Sequence, residues 1–240
     1  MTQNLERAGP EKVGRPRLSV EVNWEAGQEP RRRSWWRRPW LLPLGVVIAW
    51  FLFYVWPPYL ALDPAQSLIP IRPDSAIHFP MLVAHIAFGT IAMVTVFLQV
   101  WPWLRKRHPV VHRWVGRAYV FGGALPSVVL AFLITTMSPF PTVGTTLGGV
   151  FWFVATVMGY LRGRQRRWVE HRRWMLYSFA MTLNVIWGRI LMVVLPLTPI
   201  DAEVQGHAFE ATPWIGWVIN LVLVQWWLNR TSDRPISQLL

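Results

Sequence analysis

The chain has 240 residues, of which 53% are hydrophobic and only 15% charged, with 17 tryptophans and no cysteine. A soluble domain has roughly a quarter of its residues charged, so this composition excludes one; the lack of cysteine excludes disulfides, thiol catalysis and thiolate-held metals. Against 12 acidic residues stand 24 basic ones, a net charge of +12 to which lysine contributes only Lys12 and Lys106, and beside so much apolar sequence that balance points to a membrane surface and away from nucleic acid.

Residues 1–40 are polar, rich in Glu, Arg, Gly and Pro, and lack any hydrophobic period. They read as a disordered basic cytoplasmic tail. The tail ends in Arg31-Arg32-Arg33-Ser34-Trp35-Trp36-Arg37-Arg38, the mixture of charge and aromatic rings that anchors a chain to anionic phospholipid head groups. The apolar run that follows is too long for the core of a cleavable signal and has no small-residue cleavage site, so it is expected to be retained.

Six apolar stretches follow, at about 41–62, 79–103, 117–137, 145–161, 174–195 and 213–228. Trp56-Pro57-Pro58 should end or kink the first of them, and Gly148-Gly149 weakens the start of the fourth. Tryptophans stand near many of the ends (Trp40, Trp101, Trp103, Trp114, Trp168, Trp174, Trp214, Trp227), as an interfacial belt requires. The expected fold class is therefore all-α, a polytopic transmembrane bundle of six spans over 41–228, with a short C-terminal tail at 229–240.

Basic residues orient this bundle. With the N-terminus inside, segments 1–40, 104–117, 162–173 and 229–240 carry 9, 5, 6 and 2 Lys or Arg residues, 22 of the 24. Outside falls only Arg72, together with Asp63, Asp74, Asp201, Glu203 and Glu210, and Arg189 lies within a span. The positive-inside rule then predicts a multi-pass membrane protein with both termini cytoplasmic.

Ionisable groups inside a span are costly and so are the first functional candidates. His85 lies six residues inside the start of the second span and Arg189 seven before Pro196, about 9–10 Å below the outer surface in both cases. They can meet there as a cationic floor for an anionic or quinone-like head group, a small amphipathic ligand; alternatively Arg189 snorkels outward and His85 hydrogen-bonds a carbonyl of a neighbouring helix. His78, His85, Ala92 and Gln99 recur every seven residues along one face of the second helix. His171, Met175, Thr182 and Arg189 share a face of the fifth, since 18 residues make five whole turns.

A second cluster is cytoplasmic. Pro109 favours a helix start, after which His112, Gly116, Tyr119 and Gly123 share a face, with Arg113 and Arg117 alongside. Glu170-His171-Arg172-Arg173 opens the fifth span at the same depth. The bland account of these arginines is lipid phosphate binding. His112 and His171, on facing helices, could also ligate the iron of a b-type haem axially, with arginines meeting its propionates. His85 has no histidine partner at its own level. Phosphate-cradling loops, paired intramembrane carboxylates and His-Glu-x-x-His are absent, and Ser127, Ser138 and Ser178 have no adjacent base in the sequence.

His85 followed by Gly89 and Gln99, then His108-Pro109-x-x-His112-Arg113-x-x-Gly116-Arg117-x-Tyr119, His171-x-x-Trp174-Met175 with Ser178 and Ala180, and a late Arg189 together form a pattern. It resembles a bacterial family of predicted membrane proteins, domain of unknown function 2306, over about residues 79–195. Tyr177 departs from it, standing where the family pattern has an arginine. The resemblance implies a polytopic bacterial membrane protein and brings no catalytic residues with it.

Overall fold

A computed structural model describes residues 40–137 and 143–231, apart from the side chains of Ala202, Phe209 and Glu210; the basic tail, Ser138 and most of the C-terminal tail lie outside the described residues. Among these the chain is helical with no strand. The α-helices are α1 (Leu41–Val55), α2 (Pro57–Leu60), α3 (His78–Val100), α4 (Pro102–Arg107), α5 (Pro109–Tyr119), α6 (Leu125–Met137), α7 (Val143–Arg164), α8 (Trp168–Leu183), α9 (Val185–Val194) and α10 (Ala202–Thr231).

Prolines punctuate the chain where the sequence places them. Trp101 is extended (ψ 111°) and His108 also leaves the helical region, because a residue before proline is pushed away from it. Pro102 and Pro109 then occupy first helical positions, where a missing N–H costs nothing. At Trp56-Pro57-Pro58 the backbone stays helical and Trp56 N–H still bonds to Leu52 O, so α2 continues α1 across a kink.

Four segments are long and apolar enough to cross a membrane: His78–Val100, Pro109–Met137, Val143–Arg164 and Trp168–Leu197. The second begins eight residues before the expected 117, since α5 is an Arg-rich amphipathic turn of helix that hydropathy alone reads as loop. A π-helical turn at Val120–Ala124 joins α5 to α6. The last span is interrupted at Asn184, so its four polar positions do not lie on one unbroken helix. Of the remaining expected spans, α1 has 15 residues, and α10 has 30 but dilutes its apolar side chains with Asn220, Gln225 and four tryptophans.

Lipid is as apolar as leucine, so membrane helices dock through close backbone approach and polar pairs more than through hydrophobic burial. The pairing of α7 with α8 is the most extensive in the bundle. Their turn closes with Arg167 N–H on Arg162 O and Arg166 at φ 59°, and Glu170 bridges Arg162 (3.1 Å) and Arg167 (2.5 Å). Gly123, in the π turn, lets α3 come so near that a Cβ there would stand 2.7 Å from the backbone nitrogen of Ala92. On the other side of α3, Phe51, Val55 and Tyr59 pack with Phe79, Leu82 and Ile186.

Candidate functional site

Three polar groupings lie inside this bundle. The first is near the N-terminal end of α3. His85 places Nδ1 2.8 Å from the carbonyl of Ser127 and 3.2 Å from its Oγ. A carbonyl only accepts, so Nδ1 carries the proton and the neutral ring keeps its lone pair on Nε2. Ser127 thus has a histidine beside it, which its neighbours in sequence do not show; with a protonated nitrogen facing the hydroxyl, that ring is no base for it.

Arg189 of α9 stands beside Ile190, which packs on the same cluster as Tyr54 and Tyr59. No hydrogen bond joins His85 to Arg189 among the described residues; the ring is bonded to the Ser127 carbonyl of α6 instead. Arg189 Nη1 reaches only the sulfur of Met192 at 3.0 Å, a weak acceptor. Its Nε is buried without a partner, and no carboxylate pairs with it among the described residues.

The second grouping is a knot of hydroxyls in the middle. Tyr119 Oη lies 2.5 Å from Ser178 Oγ and 2.9 Å from Thr182 Oγ1, and Trp152 Nε1 donates to it at 3.4 Å. Thr156 Oγ1 closes the set at 2.7 Å from Ser178. Tyr119 and Ser178 have no exposed surface, so this candidate ligand contact is fully committed to its neighbours. Thr156 and Trp152 were not among the sequence candidates, because an isolated hydroxyl or indole in an apolar run gives no spacing signal; Thr182 was read only as sharing a face with His171 and Arg189.

The third grouping lies at the basic end. Gln99 Nε2 donates to His112 O at 2.8 Å, beside Gly116. His171 Nδ1 is 2.7 Å from Gly159 O, which again leaves Nε2 with the lone pair. His112 and His171 are within electrostatic reach of each other, and Arg105 and Arg113 act on His112 as well. His112 Nδ1 is buried without a hydrogen-bond partner. Arg117 turns outward onto the Trp114 ring, 4.7 Å from its centroid. No set of three or more His, Asp or Glu residues is gathered as a metal site among the described residues.

His78 differs in its tautomer. Arg72 N–H donates to its Nδ1 at 3.0 Å, so the proton sits on Nε2, which is buried and unpartnered. The ring holds the loop before α3 onto the bundle.

The family model described as predicted membrane protein (DUF2306) matches residues 82–228, more than half of the chain, and the chain belongs to that family. The match extends past the 79–195 core that carries the motif and takes in α10. No curated protein and no solved structure matches the chain.

Proposed function

We propose that this member of the family is a six-span protein of a bacterial inner membrane, with both termini cytoplasmic, that binds an anionic amphipathic ligand between α3 and α9. The two spans beyond the four long apolar ones are α1 with α2 and α10. From Leu41 to Leu60 the helical path covers 20 residues, about 30 Å and one hydrocarbon thickness. In α10 the polar side chains are spoken for: Asn220 bonds Ala180 O and Trp187, and Gln225 accepts from Tyr177. Orientation rests on the uneven distribution of Lys and Arg.

The ligand reading is carried by Arg189. A guanidinium inside a span whose Nε is unpartnered, and which among the described residues has a thioether as its acceptor and no carboxylate, is electrostatically unfinished. A phosphate or carboxylate head group completes it, and the hydroxyl of Tyr54, in the cluster that packs against Ile186 and Ile190 of α9, is a further donor to such a group. The test is titration of the purified full chain with dodecyl phosphate, followed by tryptophan fluorescence. Saturable binding that weakens roughly tenfold or more in Arg189→Leu is expected. Equal affinity in the two proteins would sink the reading.

A second reading has its own support. A metal-ligating histidine usually gives its other ring N–H to a carbonyl, the arrangement His171 has with Gly159. With His112 across from it and Arg105 and Arg113 near, a b-type haem fits the donor set, and its iron would supply one-electron transfer. An absorbance spectrum of protein expressed with haem supplied decides: no Soret band ends this reading, and a band that survives both His112→Ala and His171→Ala refutes the ligand assignment.

A further inference from the structure

We propose that the lateral groove between α1, α8 and α10 seats one acyl chain of an anionic phospholipid, whose phosphate is held by Arg172, Arg173 and Arg230. The groove has a volume of about 290 Å³ and is lined by Trp40 and Leu44 of α1, Phe179 and Leu183 of α8, and Leu223 and Val224 of α10. Its one polar side chain, Asn220, has its amide committed to Ala180 O and Trp187 Nε1. Nothing in the groove is left to bind a polar group, so an apolar chain is its fitting occupant.

The charge lies at one end. Seven residues bring a helix back to nearly the same face, about 10 Å along its axis. Arg172 and Arg173 therefore stand one such step below Phe179 and Ala180 at the start of α8, and Arg230 one step below Leu223 at the end of α10. These are the same end of the bundle, since α8 and α10 run in opposite directions. Arg230 is steadied over the Trp226 ring at 4.7 Å, and Arg38 lies two residues before Trp40 in the sequence.

None of Arg172, Arg173 and Arg230 has a carboxylate partner among the described residues; Glu170, the nearest acid in sequence to Arg172 and Arg173, is taken by Arg162 and Arg167, and Asp233, the nearest to Arg230, lies outside the described residues. An apolar groove with three guanidiniums about 10 Å beyond one end, none held by a carboxylate among the described residues, has the charge pattern of an anionic phospholipid. A free phosphate has no use for the groove, and a zwitterionic lipid brings a head-group cation that the arginines repel.

Native mass spectrometry of the full chain, released from mild detergent with phosphatidylglycerol or phosphatidylcholine of identical acyl chains, tests this. Phosphatidylglycerol is expected to be retained preferentially. Arg172→Gln and Arg230→Gln should each weaken its retention roughly fivefold, and Val224→Trp, which fills the groove, should abolish it. Leu44→Phe narrows the same groove from α1 and stands in if Val224→Trp fails to fold. Equal retention of phosphatidylcholine, unchanged retention in the filled-groove variants, or displacement of the lipid by inorganic phosphate alone would overturn the proposal. Val224→Trp should leave in place the dodecyl phosphate binding that depends on Arg189, so this site and the one between α3 and α9 succeed or fail separately.

Discussion

The phenolic oxygen of Tyr119 lies 2.5 Å from the hydroxyl of Ser178, joining α5 to α8 across 59 residues of chain. Thr156 and Trp152 of α7 meet the same pair, so three helices are tied at one buried point. In lipid no water competes for these groups, and their main alternative is to stay unpaired. Tyr119→Phe should therefore cost about 1–2 kcal/mol in unfolding from micelles. A double-mutant cycle with Thr182→Val isolates the pair, whose bond is 2.9 Å long. Strictly additive effects would show that the knot is no coupled unit.

Two adjacent glycines make a sharper contrast. A Cβ on Gly123 would stand 2.7 Å from the Ala92 backbone, whereas one on Gly122 meets nothing nearer than 4.0 Å. Backbone cannot yield as a side chain can, so Gly123→Ala is expected to destabilise by about 1–3 kcal/mol. Gly122→Ala should be close to neutral or slightly favourable, because alanine suits a helix better than glycine. Thermal melting of the two variants side by side checks this, and equal midpoints would refute the close contact.

These contacts mark how far the sequence alone could be read. The start of α5 was legible because Pro109 acts locally, through its own ring, whereas the break before Pro102 falls inside the expected 79–103 stretch. That His85, inside a span, can satisfy itself on a carbonyl of a neighbouring helix was legible too. The pairing of His85 with Ser127 was not: it spans 42 residues and depends on how α3 crosses α6. The interruption at Asn184 carries neither proline nor glycine to announce it, and Pro213 sits inside α10 without ending it.

The loop before α3 gives a pH prediction of known sign. Arg72 holds Asp74 through two bonds of 2.8 and 3.0 Å, and that contact lowers the Asp74 carboxyl below its ordinary range while raising the guanidinium. A carboxyl lowered on folding contributes stability above its unfolded pKa and loses it as pH falls through the folded value, so any contribution disappears in acid, below about pH 4. Both groups face solvent, and salt screens such pairs. Asp74→Asn should leave the melting midpoint at pH 7 and physiological salt unchanged, with a deficit visible only at low ionic strength. A large deficit in high salt would mean that the pair, and not His78, secures the loop.

Asn220 separates insertion from stability. Its amide donates to Ala180 O at 2.8 Å and accepts from Trp187 Nε1 at 3.0 Å, tying α10 to both α8 and α9. The same side chain lowers the hydropathy of α10, which is not among the four segments apolar enough to span on composition. Asn220→Leu therefore acts in two directions. A translocon reads only the segment, so the variant should insert more efficiently, by about 2 kcal/mol on scales that penalise polar side chains at a helix centre. The folded bundle is left with an unpaired indole N–H and carbonyl, at a cost of about 1–3 kcal/mol. Glycosylation-mapped insertion of α10 should rise while the melting temperature of the whole protein falls. If both rise together, the two hydrogen bonds do not hold α10 in place.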